Sequence, residues 1–253
     1  MSIRLLTFDL DDTLWDAAPV LRRAEAAQHR WLQAHRPAAL AGLDEDALAT
    51  LKKQVWRAQR RAAHDVGALR RALLDELQRR AGYSAAETAA GTAQAFAVFL
   101  KERQRIDVHP VALPVLRHLA QRYRLCALSN GNSDVYRTAA GPCFEFAFNA
   151  AEVGAGKPAP ALFRAALEAT GASAAHSVHI GDHPEHDIAG AQRMGMRSVW
   201  MNHRGRRWRE VAAQGQQPAD AEISCLSELP AALEGLEEHA PAGGHPPQEQ
   251  AAR

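Results

Sequence analysis

The residues of this chain that could do chemistry gather at three places, and the first is Asp9-Leu10-Asp11-Asp12-Thr13. It follows an apolar run, Ile3 to Thr7, with the branching and spacing of a buried strand. Carboxylates at the end of a core strand lose hydration and repel one another, so a cation, a proton or backbone donors must compensate them. In an extended chain Asp9 and Asp11 project to one side and Leu10 to the other, so one small site could receive both acids. A divalent metal is the simplest compensator, and an Asp-rich turn capping a helix is the alternative.

The second place is Ser129-Asn130-Gly131-Asn132, where a hydroxyl, amides and a tight turn offer the donors a phosphate or other oxyanion needs, or else form a plain turn. Downstream, the loop Gly154-Ala155-Gly156-Lys157-Pro158 carries one lysine, which could balance nearby acids and hold a phosphate. The third place, Gly181-Asp182-His183-Pro184-Glu185-His186-Asp187, crowds three acids and two histidines into seven residues. The histidines would suit zinc, but the oxygen-rich set suits magnesium, so Asp182 is read as a ligand of a hard metal. His183 and His186 are then surface or supporting residues, and Asp187 caps or orients the loop.

The elements that must position these clusters follow from the hydrophobic pattern. Beyond Val108 helix and strand alternate, which signals a parallel sheet covered on both faces. Strands are predicted at 124–128, 144–148, 177–180 and 198–201, and helices at 110–123, 160–170 and 185–194, with a last strand and helix within 223–236. The three clusters then fall at carboxyl ends of strands, where open parallel sheets bind ligands. From about Ala17 to Arg105 strand-like runs are missing and apolar residues recur at helical spacing. Val20, Leu21, Ala24, Ala27, Trp31 and Leu32 mark one helix face, ended by Pro37; further helices are predicted at 44–63, 68–81 and 84–101, the last opened by a Ser84/Glu87 capping box. The expected division is a core of 1–15 and 106–238, a helical insert of 16–105 and a disordered tail of 239–253.

The 253 residues, 47% apolar, are enough for a core domain and a smaller one, and a formal charge of +1 argues against a dedicated nucleic-acid or membrane-surface protein. A local basic run, nine Lys or Arg against three acids between Lys52 and Arg80, reads as the wet face of amphipathic helices or as an attractor for an anionic ligand. Cys126, Cys143 and Cys225 are far apart in strand-like runs and are expected to be reduced core residues. With no membrane-length apolar run and no signal-peptide core, a cytoplasmic location is expected.

Taken in order, these motifs resemble those of the haloacid dehalogenase superfamily of hydrolases, most of which are phosphatases, over nearly the whole chain to about Leu236. The resemblance implies an α/β fold, a Rossmann-like parallel sheet core with an inserted all-α cap domain. It implies that Asp9 is the nucleophile and Asp11 the general acid and base. Ser129 with Asn130, and Lys157, would bind phosphate; Mg2+ would be held by Asp9, the backbone carbonyl of Asp11 and Asp182; Thr13 and Asp187 would support them. Haloacid dehalogenases themselves lack the second aspartate of the first motif, whereas this chain keeps Asp11, which argues against carbon–halogen cleavage. More narrowly, the runs Phe8 to Asp16, His64-Asp65-Val66, Arg105-Ile106-Asp107-Val108 and Asn130-Gly131-Asn132 are similar to bacterial phosphatases acting on flavin mononucleotide and on the phosphorylated ribitylamino-uracil intermediate of riboflavin biosynthesis. His64 and Arg70 are the cap candidates for substrate contact.

The expected partner is a small phosphorylated metabolite, with no nucleic acid and no membrane, for a monomer or homodimer. Two other readings stand beside this one. A phosphosugar mutase, or another sugar or nucleotide phosphatase, could use the same scaffold. A non-catalytic module could bind nucleic acid through the basic run, leaving the acids and Lys157 idle.

Overall fold

The structure, a computed structural model, describes residues 2–238, so the tail 239–253 lies outside the described residues. The strand β1 (Leu5–Phe8) is buried along its whole length and lies inside the sheet. Around it run β2 (Arg124–Ser129), β3 (Phe146–Asn149), β4 (Ser177–Gly181), β5 (Arg197–Met201) and β6 (Ala221–Ile223), in the order β3-β2-β1-β4-β5-β6. Every pairing is parallel, with Phe8 opposite Ala127 on one side and Ile180 on the other. Strands buried on both faces favour apolar residues at successive positions, as in Leu5-Leu6 of β1 and Leu125 to Leu128 of β2, whereas β4 alternates and buries Ser177 and His179 on one face.

The strand period of two sorts these side chains into two layers. Leu6 and Phe8 pack with Leu116 and Leu119 of α5 (Ala112–Leu119) and with Leu229 and Leu233 of the helix Leu229–Glu238. On the other face Leu5, Cys126 and Leu128 meet Leu162, Phe163 and Ala166 of the helix Ala161–Thr170. The chain therefore has the α/β, Rossmann-like sheet expected of it.

Between β1 and α5 come four helices: α1 (Ala17–His35), α2 (Glu45–Ala58), α3 (Val66–Arg80) and α4 (Ala85–Arg103). The first packs on the fourth, and the third on both the fourth and the second. Their buried residues form clusters of their own, Leu51, Val55 and Leu77 in one and Leu32, Leu74 and Ala95 in another. Capping sets the boundaries: Ser84 and Glu87 form the reciprocal box, and the Asp44 and Asp65 carboxylates accept from Ala47 and Ala68 N–H.

Several expected elements move. The helix predicted at 44–63 ends at Ala58 and continues as a 3-10 turn, Arg60–Ala62. The strand predicted at 144–148 begins later, because a 3-10 turn at Gly141–Cys143 takes up the chain before it. The helix predicted at 185–194 opens as a π-helical turn, Pro184–Ala189, because the His183 imidazole accepts the backbone N–H groups of Glu185 and His186 and sets the first turn. Only a short α-helix, Gly190–Arg193, follows it. Of the three cysteines only Cys126 lies in a strand and is fully buried; Cys143 and Cys225 sit at turns and are half-buried.

Leu6 is fully buried between β1 and the helices of one face. Leu6→Ala is expected to destabilise the protein by roughly 2–5 kcal/mol while leaving the helices folded at room temperature. Urea unfolding followed by circular dichroism measures the loss; a change under ~0.5 kcal/mol would contradict this packing.

Candidate active site

The site forms where β1 runs out. The Asp9 N–H extends the ladder, donating to Ile180 O at 2.8 Å, and leaves the Asp9 side chain at the carboxyl edge of the sheet. The chain then turns through Asp12, whose φ of 58° is the left-handed region that Asp tolerates better than most residues. That turn is tied twice: Asp12 N–H donates to Trp15 O at 2.8 Å, and the Asp12 carboxylate accepts from Ala17 N–H at 2.9 Å at the start of α1. Because the strand stops at Phe8, Asp9 and Asp11 part company. Asp9 Oδ1 meets Lys157 Nζ at 2.6 Å, while Asp11 accepts from Trp15 Nε1 at 2.7 Å and pairs with Arg103 Nη2 at 2.5 Å. Thr13, fully buried, lies 3.5 Å by its hydroxyl from Asp9 Oδ2.

The lysine reaches this point from a loop held by an amide. Asn130 Oδ1 accepts from Lys157 N–H at 2.7 Å, and Asn130 Nδ2 donates to Lys157 O at 2.8 Å. Asn130, expected to bind phosphate, is thus engaged with the lysine loop. Both ends of its side chain are committed to the Lys157 backbone, so it places the lysine. Ser129 stays in the site, its Oγ accepting from Gly131 N–H at 2.9 Å with its own hydroxyl proton still to donate. Lys157 Nζ also meets Asp187 Oδ1 at 2.6 Å; Asp187 Oδ1 lies 3.2 Å from His179 Nε2, and Oδ2 accepts from His183 N–H at 2.9 Å. Asp187 thus orients the lysine and the loop.

Three carboxylates, those of Asp9, Asp182 and Asp187, come within 4.8 Å of one another. Burial raises Asp9 to about 7 despite the opposing pull of Lys157, and burial with the nearby Asp9 charge raises Asp182 to about 8. Burial would raise Asp187 too, but Lys157 and His179 overcome it and hold that carboxyl below its ordinary range. Lys157 is pushed down by burial and held up, above its ordinary value, by Asp187 and Asp9. One ammonium therefore pairs with two of three carboxylates, and Asp9 and Asp182 are driven toward taking up a proton. The surplus negative charge and the all-oxygen donor set fit a hard divalent cation such as Mg2+.

The cap candidates separate. His64 lies with Asn130, Lys157 and His186 around a cavity of about 430 Å³. Arg70 is engaged elsewhere: it donates to Glu25 at 2.9 Å and to Gln28 at 3.3 Å and lies 3.7 Å over the Phe99 ring. The cleft of about 570 Å³ beside Ser129 is lined instead by Arg71, Asp65 and Phe96 of the helical segment and by Asn132, Ser133 and Tyr136 of the sheet segment. The sequence reading missed Arg71, Trp15, His179 and Arg103. Only Trp15, four residues beyond Asp11, carried a local signal.

A family model described as haloacid dehalogenase-like hydrolase matches residues 3–195. The chain belongs to that family, and it is therefore a hydrolase. It is 36% identical over 199 residues to a 5-amino-6-(5-phospho-D-ribitylamino)uracil phosphatase of Escherichia coli, covering 79% of this chain and 83% of that one. It is also 35% identical to a phosphoserine phosphatase of Thermus thermophilus, over 50% of this chain and 49% of the other. Among solved structures, one described as a 2-haloacid dehalogenase from Pseudomonas syringae pv. Tomato superposes with a TM-score of 0.85 at 39% identity, covering 92% of this chain and 99% of that one. None of the helices among the described residues is long and apolar enough to cross a membrane.

A carboxyl whose folded value is raised favours folding at low pH, and that contribution vanishes as pH rises through the raised value. The metal-free protein should therefore lose melting temperature between pH 6 and 8.5 as Asp9 and Asp182, raised to about 7 and about 8, give up their protons. Mg2+ binds the ionised acids, so it should stabilise more at pH 8.5 than at pH 6, by ~2.7 kcal/mol at a hundredfold excess over Kd. Thermal melts of the wild type and Asp182→Asn across that range, with and without Mg2+, check this; equal Mg2+ shifts in both proteins would refute the assignment.

Proposed function

We propose that the chain is a magnesium-dependent phosphomonoesterase that works through an aspartyl-phosphate on Asp9. The observation that carries this reading is the pairing of Lys157 with both Asp9 and Asp187 at 2.6 Å, beside the Ser129 hydroxyl and the Asp182 carboxylate. A nucleophilic carboxylate, a cation beside it and a hydroxyl donor stand together at the edge of one sheet.

Asp9 attacks phosphorus and displaces the alcohol, which Asp11 protonates as it leaves. Asp11, now ionised, takes a proton from water, and the hydroxide formed cleaves the acyl phosphate to restore Asp9 and release phosphate. Ser129 and Lys157 donate to the phosphoryl oxygens as charge spreads over them. Asp9, Asp182 and the backbone carbonyl of Asp11 would hold the magnesium, which when bound supplies positive charge between the anionic phosphate and the anionic nucleophile. Residues 16–105 act in this reading as a cap, closing the cleft that Arg71 and Phe96 line.

For substrate, we infer a flavin-pathway phosphate, flavin mononucleotide or the ribitylamino-uracil phosphate. Support comes from the relative acting on 5-amino-6-(5-phospho-D-ribitylamino)uracil and from Arg71, whose guanidinium lies 4.4 Å over the Phe96 ring at the cleft wall. A stacked cation and ring suit a flat, anionic ligand. The structural relative described as a dehalogenase raises carbon–halogen cleavage as a second reading, which the acid Asp11 makes unnecessary, since halide leaves without a proton.

A screen of phosphorylated metabolites with Mg2+, reading released phosphate, tests both levels. Flavin mononucleotide and the ribitylamino-uracil phosphate should rank above simple sugar phosphates, and 2-haloacids should release no halide. Asp9→Asn should lower turnover of every ester by at least ~10³-fold while keeping the fold, since an amide is no nucleophile toward phosphorus. An active Asp9→Asn enzyme ends the mechanism; sugar phosphates ranking equal ends only the flavin assignment.

A further inference from the structure

The last turn of α4 delivers an arginine into the site. Arg103 is 1% exposed, and its Nη2 pairs with Asp11 Oδ2 at 2.5 Å. Its neighbour Gln104 grips the loop after β2 at two points, donating to Asn132 O at 2.8 Å and accepting from Asp134 N–H at 2.8 Å. The helical segment thus returns to the sheet through a two-residue clamp, and Arg103 is its buried half. The space is tight: a Cβ on Gly131 would stand 2.8 Å from Asp11 Oδ2 and 3.4 Å from Arg103 Nη2. Glycine is required there so that both groups can meet.

Arg103 is poorly served for a structural residue. Its Nε and Nη1 are buried and make no hydrogen bond among the described residues, so its one ion pair, with Asp11, leaves much of the cost of burying a guanidinium uncompensated. Asp11 is the better served. Trp15 Nε1 fixes one carboxylate oxygen at 2.7 Å and Arg103 the other, so rotation about the last side-chain bond is blocked. Ser133 Oγ adds a long contact of 3.5 Å to the first oxygen.

We propose that Arg103 is a positioning residue: carried by the end of the helical segment, it fixes the Asp11 carboxyl for proton transfer to the leaving oxygen. The inference rests on the phosphatase reading above. It has a consequence that a merely structural arginine lacks. Phosphorylation of Asp9 needs Asp11 only when the leaving group needs a proton. An alkyl phosphate needs one, and p-nitrophenyl phosphate does not, because nitrophenolate leaves as the anion.

The experiment measures single-turnover formation of the phosphoenzyme by full-length, magnesium-loaded protein, comparing an alkyl phosphate with p-nitrophenyl phosphate. Arg103→Met should slow the alkyl ester by roughly 10- to 100-fold and the aryl ester by less than about threefold, within the range positioned acid–base groups supply. Arg103→Lys, which keeps the charge, should recover part of the alkyl rate, and it also supplies the reading if Arg103→Met fails to fold. Equal losses on both esters, unchanged rates, or a Lys variant no better on the alkyl ester than Arg103→Gln would overturn the proposal. Those outcomes leave the phosphatase reading intact if the wild type turns over both esters; a wild type that releases phosphate from neither fails the reading itself.

Discussion

Burying Lys157 among Asp9, Asp182 and Asp187 is the constraint on which the rest of the structure depends. An ion stripped of water is tolerated only beside partners of opposite sign with good geometry, and here the partners are drawn from three separate strand ends. Asp9 comes from β1, Asp187 from the turn after β4, and the lysine loop is strapped to Asn130, just past β2. The order β2-β1-β4 in the sheet is what makes these three neighbours. Local devices then remove the remaining freedom. Gly181 has no side chain because a Cβ there would stand 2.4 Å from Asp187 Cγ. His179, fully buried and held below its ordinary value by burial, bridges Thr7 Oγ1 at 2.8 Å and Asp187, locking the acid from beneath.

Such a cluster is matched in parts and mismatched in total. Lys157 satisfies one oxygen on each of two acids, and Asp182 has no cation of its own within the cluster. A folded core ordinarily avoids this, because each unpaired buried carboxylate favours the proton or the unfolded chain. The surplus is sited at the carboxyl edge of the sheet, where open parallel sheets bind ligands, and buried, perturbed carboxyls in such a place are more often functional than structural. Stability is given up at this one edge of the sheet while both apolar layers behind it stay fully packed.

The sheet was legible in the sequence because buried parallel strands leave short, mostly apolar stretches, and those beginning near Leu5 and Arg124 stand out against polar turns, with the alternating Ser177 to Gly181 beside them. Asp9, Asp11 and Asp182 were legible for a related reason: acids directly after such runs are costly unless used. What escaped was set by distance along the chain. Arg103 is 92 positions from Asp11, in a helix whose other basic residue, Lys101, faces water, and nothing in its neighbourhood distinguishes it. Asn130 was read as a ligand from its place beside Ser129, but its partner is a backbone 27 positions away, which no spacing rule reveals. Arg70 and Arg71 could not be told apart by pattern, since a helix turns 100° between them and only packing decides which one reaches the cleft. The π-helical turn escaped because it depends on one histidine ring accepting two backbone donors.

Both ends of the helical segment are anchored at the same acids, and this joins the two halves of the molecule. On the way out, Asp12 turns the chain in a left-handed step and its carboxylate holds the first turn of α1. On the way back, Arg103 and Gln104 grip Asp11 and the Ser129 loop. The helices α1 to α4 pack chiefly on one another, so the segment can shift against the sheet more easily than either half can deform. Any such shift moves Arg103 with it, and with Arg103 the support of one oxygen of Asp11. Asp9 is insulated from that motion, since it is held by Lys157 and the β-ladder, both belonging to the sheet. The fold thereby separates the rigid cluster around Asp9 and Lys157 from Asp11, whose alignment depends on where the helices sit.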